Sequence, residues 1–280
     1  MSTTFNVYKR SRAKDAFVKI AEGLTGKGFV DLSVARSDMA QYQVTATDGI
    51  AEKFGEIVSL DNAYDLVEFL VDGQALSYPS TSILDMSSKN RVITKLGGVL
   101  KKDDLKFHYD GIIYFDGVSD GLSLSMPVLN TSDFTFEIRG VFHHAGSEAW
   151  SRIFQFGVEQ TGYLSLFRSS SSNPAEYVLH CRTTGNVSTT ILVLSRLVVS
   201  EVFIEICIMR KNGIFYAFVN GEPAGVNNSM VSYNITQTLL YLLRNNASDV
   251  DTKASIDAIR FTSYARYSAE GYTPIDFRFK

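Results

Sequence analysis

The chain has 280 residues, 45% of them apolar, which is enough material for one large core or two ordinary ones. Its 27 basic and 30 acidic residues leave a formal charge of −3, too balanced to draw the whole chain to nucleic acid or to an anionic bilayer. With only two cysteines, Cys181 and Cys207, a disulfide framework is excluded, and both lie in strand-like runs where a buried free thiol is expected.

Met1 to Arg12 is polar and then basic, without the apolar stretch of a signal peptide, so Sec-dependent export is not expected. The basic run Lys9, Arg10, Arg12 and Lys14 reads as a solvated helix start, since so few charges do not make a phosphate-binding tract. From Ala13 to Leu24, the residues Ala13, Phe17, Ile20, Ala21 and Leu24 share one helical face, with Gly23 and Gly26 as stops. Phe29 to Val34 and Tyr42 to Thr47 alternate as strands. A second helix is expected over Asn62 to Val71, capped by Asp61, striped by Leu66, Phe69 and Leu70, and ended by Gly73. Residues 1–90 therefore read as a small α+β attachment region, folded by itself or ordered only on its partner. Tyr78 to Asn90, rich in Ser/Thr, already has the texture of a connector, and residues 91–107 complete the passage to a domain spanning 108–280.

From Ile112 the period changes to two. Phe134, Phe136, Ile138 and Phe142 alternate with Thr135, Glu137 and Arg139, giving one core face and one wet face. Phe203, Cys207 and Met209 alternate with Ile204, Ile206 and Ile208, so that strand is expected to lie centrally, covered on both faces apart from Glu205. The apolar region Ile191 to Met209 is interrupted by Arg196, Glu201 and Glu205 and reads as two strands, not a membrane span. Asn212-Gly213 and Asn220-Gly221 follow strong strands where a type I′ turn requires residues that accept positive φ. Roughly ten short strands with Gly/Asn/Ser turns imply two antiparallel sheets packed face to face. Asn-x-Ser/Thr triplets at Asn130, Asn186, Asn227, Asn234 and Asn246 read as turn and strand-edge chemistry.

Five segments, in order, carry a family resemblance. Tyr114-Phe115-Asp116-Gly117-Val118-Ser119-Asp120-Gly121-Leu122 is followed by Phe134-Thr135-Phe136-Glu137-Ile138 and Ile153-Phe154-Gln155-Phe156-Gly157. The hairpin Arg210-Lys211-Asn212-Gly213-Ile214 to Val219-Asn220-Gly221 comes next, and the close is Ile256-Asp257-Ala258-Ile259-Arg260, Ala265-Arg266-Tyr267 and Tyr272-Thr273-Pro274. Residues of about 112–280 thus resemble the laminin-G-like, concanavalin-A-like jelly rolls of bacteriophage virion proteins, the closing segment being the most specific part. The chain departs from that pattern at Val202-Phe203-Ile204-Glu205, where many members carry a Trp. The resemblance implies a mainly β protein whose C-terminal β-sandwich projects from the particle.

Glu201 and Glu205 come nearest to a glycosidase pair, but the carboxylate between them is replaced by Phe203, so a solvent-facing reading is preferred. The histidines His108, His143, His144 and His180 lie in no nucleophile motif, adjacent His143 and His144 are placed after the strand that ends at Phe142, and Cys181 should face away from His180. No catalytic residue and no cofactor is expected. Relatives of the resembled family hold calcium at a loop rim; the oxygen-rich candidates are Asn246, Asp249 and Asp251, with Asp116 and Asp120 a second cluster, although a plain solvated loop is preferred. Trp150 is a candidate surface or glycan contact that could equally plug the core edge, the preferred alternative. Tyr163, Tyr177, Tyr233 and Tyr241 are further aromatic candidates.

The expectation is a non-catalytic virion structural protein, as capsid decoration, collar or tail component, made in the host cytoplasm. Its N-terminal region would anchor it to other virion proteins in a homo-oligomer, with no nucleic-acid partner and no membrane span. The alternative is a host-glycan-binding adhesin, and a weaker one a polysaccharide-degrading enzyme.

Overall fold

The computed structural model describes residues 4–10, 16–25, 39–47, 52–61, 66–73, 83–102, 111–143, 150–158, 161–169, 176–183, 187–196, 198–244 and 251–274. They form nineteen strands and fall into two compact units, Met1–Tyr64 and Asp65–Phe279.

In the first unit, β1 (Thr4–Arg10), β2 (Val18–Leu24), β3 (Met39–Thr47) and β4 (Glu52–Asp61) make one antiparallel sheet in the order β2-β1-β3-β4. The Glu52 carboxylate gathers this sheet, accepting from Asn6 Nδ2 at 2.7 Å, from the Tyr8 hydroxyl at 3.0 Å and from the Thr45 hydroxyl. The helix expected over Ala13 to Leu24 is not there: Val18–Leu24 is a strand paired with β1, and the expected stop Gly23 sits in the left-handed region with φ 65°, its N–H donating to Asn6 Oδ1. Pairing with a neighbour overrode a short helical period. Tyr42 to Thr47 lies within β3 as expected, whereas Phe29 to Val34, Arg12 and Lys14 fall outside the described residues.

The second unit is the expected sandwich. An eight-stranded sheet contains β5 (Val67–Asp72), β7 (Leu100–Lys102), β8 (Ile112–Phe115), β10 (Phe134–Phe142), β15 (Phe203–Lys211), β16 (Ile214–Val219), β17 (Glu222–Asn227) and β19 (Ala254–Thr262). A seven-stranded sheet contains β6 (Ile93–Leu96), β9 (Gly121–Ser125), β11 (Arg152–Val158), β12 (Gly162–Arg168), β13 (Tyr177–Arg182), β14 (Ser188–Val193) and β18 (Leu239–Leu242), in the order β14-β13-β12-β11-β18-β9-β6. The inner faces meet through Phe136 on Phe154, ring centroids 4.5 Å apart, and Phe156 on Phe261 at 5.5 Å. Phe134, Phe136, Ile138 and Phe142 all point into that core. Asn212-Gly213 (φ 52° and 79°) and Asn220-Gly221 (φ 52° and 76°) make the two expected left-handed turns.

The boundary lies earlier than the sequence suggested. Asn62 to Val71 carries no helix among its described residues; Val67–Asp72 is a fully buried strand paired with β19 from Ala258 to Thr262. A six-residue run buried on both faces offers Leu66, Phe69 and Leu70 at helical spacing by coincidence, and only length could have told the two apart. Of residues 91–107, the described ones, 91–102, are no connector either, since β6 pairs with β9 and β7 with β8.

The outer face of the eight-stranded sheet is closed by the end of the chain. Glu137, Arg139, Glu205, Asp257 and Arg260 lie there, all at most 2% exposed. Arg260 grips Glu137 with two donors at 2.7 Å, and Arg139 donates to Asp257 at 2.7 Å. Over them Tyr267 donates to Glu137 and Tyr272 to Glu205, the two tyrosine rings stacking at 3.7 Å and 8°. The segment Ala265-Arg266-Tyr267 to Pro274 is therefore a strap that desolvates and pairs this face. On the seven-stranded sheet the side chains of β11 and β12 that do not enter the core are buried too, Gln155 and Ser165 at 0%, Phe167 at 3% and Tyr163 at 6% exposed.

Candidate functional site

Side chains alternate across each strand, so His180 and Arg182 of β13, Tyr163, Ser165 and Phe167 of β12 and Gln155 of β11 share the outward face; the register places Gln155 opposite Ser165, Ser165 opposite His180, and Tyr163 opposite Arg182. Cys181 points into the core, as its spacing from His180 requires, and both cysteines are free and buried.

Trp150 stands at the head of this face. Its N–H donates to the Arg168 carbonyl at 2.7 Å and Arg168 N–H donates to the Ser151 carbonyl at 3.0 Å, pinning the turn to β12. The backbone there has φ 76°, a conformation a bulky residue adopts only when its surroundings impose it. The indole is 57% exposed and lies 5.1 Å from the Phe167 ring, so it stands outside the core and does not plug its edge.

Arg152 runs beneath it. Its guanidinium sits 4.8 Å over Phe167, donates to the Trp150 carbonyl at 2.5 Å and donates to Gln155 Oε1 at 3.2 Å. The His180 ring packs 5.6 Å from Tyr163 and 5.8 Å from Phe167, and its Nδ1 is buried without a hydrogen-bond partner. Burial first, then the charges of Arg152 and Arg182, hold this imidazole below its usual pKa, so it is neutral at pH 7. The result is an aromatic shelf with fixed cations and an uncommitted ring nitrogen.

The other aromatic candidates separate. Tyr241 lies on this face opposite Gln155, Tyr177 is buried in the core, and Tyr233 packs against the core edge with its hydroxyl donating to the Tyr163 carbonyl at 3.3 Å.

The carboxylate candidates do not make a catalytic pair. Glu205 is buried under Tyr272, against the solvent-facing expectation, because the strap covers its side of the sheet. Glu201 precedes β15 at φ 63° and is 62% exposed in its side chain. It meets His143 instead: His143 Nδ1 lies 2.8 Å from Glu201 Oε1, and His143 Nε2 lies 2.9 Å from the Ser255 hydroxyl. Sequence reasoning missed this chain of contacts because its members are 58 and 112 residues apart. The order Ser, His, carboxylate is that of an acyl-transfer triad, yet Ser255 sits 7% exposed in mid-ladder, paired on both edges by Val141 and Tyr114. That burial between two strands keeps its hydroxyl away from an incoming carbonyl.

Of the calcium candidates, Asn246 and Asp249 lie outside the described residues, as do His108 and His144. Asp251 is buried with Arg244 Nε 3.8 Å from its Oδ1. Asp120 does loop work, accepting from Gly98 N–H and, at 2.8 Å, from Asp116 N–H, while Asp116 accepts from Val118 N–H at 2.7 Å. Asp116 and Asp120 are committed to amides, and no group of three His, Cys, Asp or Glu converges among the described residues.

Residues 116–270 match the family model described as the concanavalin A-like lectin/glucanases superfamily, of laminin G type. The chain belongs to that family. Its fold is shared with domain 4 of an extracellular arabinanase from Geobacillus stearothermophilus, solved with arabinotriose, at 12% identity and TM-score 0.53 over 71% of this chain and 93% of that one. It is also similar to the binding domain of botulinum neurotoxin serotype D, at 12% identity and TM-score 0.55 over 74% of this chain, and to that of Paraclostridial Mosquitocidal Protein 1, at 12% and 0.54 over 72%. The chain spans 50% of the length of each of these two toxin domains. No curated protein matches.

Proposed function

We propose that this family member is a non-catalytic bacteriophage virion protein whose jelly roll binds carbohydrate on a host surface and whose N-terminal unit holds it to other virion proteins, as one copy of a homo-oligomer. The Trp150 shelf carries the recognition half. An exposed indole held at a strained φ and backed by Phe167 offers a flat apolar surface to a sugar ring, with Arg152, Gln155 and His180 beside it. Structural neighbours solved with arabinotriose or described as binding domains favour the same reading. The virion half is supported by the resemblance of the closing segment to phage proteins and by Val18, Val44 and Phe54, exposed apolar side chains on the four-stranded sheet that suit an assembly contact.

The test compares full-length protein with Trp150→Ala on host cells and on particles lacking the protein. Loss of cell binding in the variant, reversed for the parent by free sugar, with particle decoration intact, supports recognition through the shelf. Equal cell binding by both forms sinks the recognition half, and failure of both to decorate particles sinks the virion half.

A further inference from the structure

The charge on the seven-stranded sheet differs from that of the chain. The protein as a whole is acidic, with 30 Asp and Glu against 27 Lys and Arg. Yet none of the seven strands of this sheet contains an aspartate or a glutamate, while they contain Lys95, Arg152, Arg168 and Arg182. The eight-stranded sheet, by contrast, buries Glu137 and Asp257 against its own arginines.

Two of those cations bear on the shelf. Arg152 is committed to Trp150, Gln155 and Phe167, and contributes a fixed positive field. Arg182, opposite Tyr163 and half-buried, makes no hydrogen bond and no ion pair among the described residues, and its buried Nε has no partner. Next to it on the same face lies His180, whose Nδ1 is likewise unpartnered. A half-buried guanidinium without an anion is an unfavourable resting arrangement that a carboxylate would relieve, through a two-pronged contact a neutral hydroxyl cannot match.

We propose that the glycan bound at this face is a carboxylated oligomer, of uronate or sialate type, with one ring on Trp150 and the carboxylate of a ring further along it on Arg182, which the register sets four residues away along β12, about 13 Å. This rests on the carbohydrate reading above and adds the charge of the ligand to it.

Full-length protein is titrated with oligogalacturonate and with the same oligomer fully methyl-esterified, which keeps the sugar and removes the charge; colominic acid tests the sialate source. The acid forms are expected to bind about tenfold or more tighter than the ester, with an affinity that falls as salt rises. Arg182→Gln should bring the acid down to the ester's level and leave the ester unchanged, with Arg182→Lys intermediate, and Trp150→Ala should weaken acid and ester together. Equal binding of acid and ester, or an Arg182→Gln protein that still prefers the acid, overturns the carboxylate assignment and leaves carbohydrate recognition standing. No binding of either oligomer or of colominic acid overturns it too, and if Trp150→Ala also leaves cell binding unchanged, the carbohydrate reading falls with it.

Discussion

Single positions in this protein are decided by what lies above them. Gly221 closes a left-handed turn at φ 76°, and a Cβ built there would lie 2.0 Å from the Tyr272 carbonyl oxygen, while the Tyr272 N–H donates to the Gly221 carbonyl at 2.9 Å. The Asn-Gly pair was legible in the sequence as a turn; that it is also the bed of the C-terminal strap was not, because the strap arrives from fifty residues downstream. Gly221→Ala should therefore cost about 2 kcal/mol or more, beyond the strain of φ alone, read as a lowered midpoint in urea. A loss of only a few tenths would mean the strap does not press on the turn. The Ser255–His143–Glu201 contacts give a second residue-scale expectation. Because Ser255 is locked in its ladder, a fluorophosphonate probe should not label the protein, and Ser255→Ala should behave as wild type toward ester substrates. Stoichiometric labelling lost in Ser255→Ala would make this protein a hydrolase.

At the scale of elements, the strap explains why the closing motif has the residues it has. Ala265-Arg266-Tyr267 and Tyr272-Thr273-Pro274 supply the groups that pair Glu137 and cover Glu205, so the most specific part of the family resemblance is a structural closure and not a ligand site. Such a closure is pH-sensitive. Burial, with Glu137 beyond it, pushes the Glu205 carboxyl up to about 7 from its ordinary 4.5. The folded state then holds this proton more tightly than the unfolded chain does. The stability this gives is complete below the unfolded value and is lost as pH rises through 7, at up to about 1.4 kcal/mol per unit. The melting temperature should fall between pH 5 and pH 8, and Glu205→Gln, which keeps an acceptor for Tyr272, should flatten that slope. An unchanged slope in the variant would place the titration elsewhere. None of this is legible in the sequence, since Glu205 alternates like any outward residue and nothing local announces a lid over it.

Over the whole molecule, strand content and the face-to-face sandwich were readable from period-two alternation and Asn-Gly turns, whereas the extent of the domain was not. Alternation marks a strand with one wet face; β5 has none, and its Val67, Phe69 and Val71 pack with Glu68 and Leu70 all buried, so the signal that identified the later strands is missing there. Likewise the face beside Trp150 is assembled from side chains of β11, β12, β13 and β18, so Trp150, Tyr163 and Tyr241 stood out in advance by their chemistry and not their place. The consequence is testable by truncation. A fragment beginning at residue 108 lacks β5, β6 and β7, which removes the partner of β19 from Ala258 to Thr262 and the edge strands on β9 and β8. It also exposes Phe261, which stacks on Phe69 with ring centroids 6.5 Å apart, and leaves unpaired backbone along a central strand, at a cost no single domain of ordinary stability can absorb. A fragment beginning at residue 65 keeps all of these. The expected outcome is a cooperative thermal transition and resistance to limited proteolysis for residues 65–280, and aggregation or rapid digestion for residues 108–280. If the shorter fragment melted cooperatively at the same temperature as the longer one, β5 to β7 would be ornaments on a self-sufficient jelly roll, and the boundary would belong where the period changes.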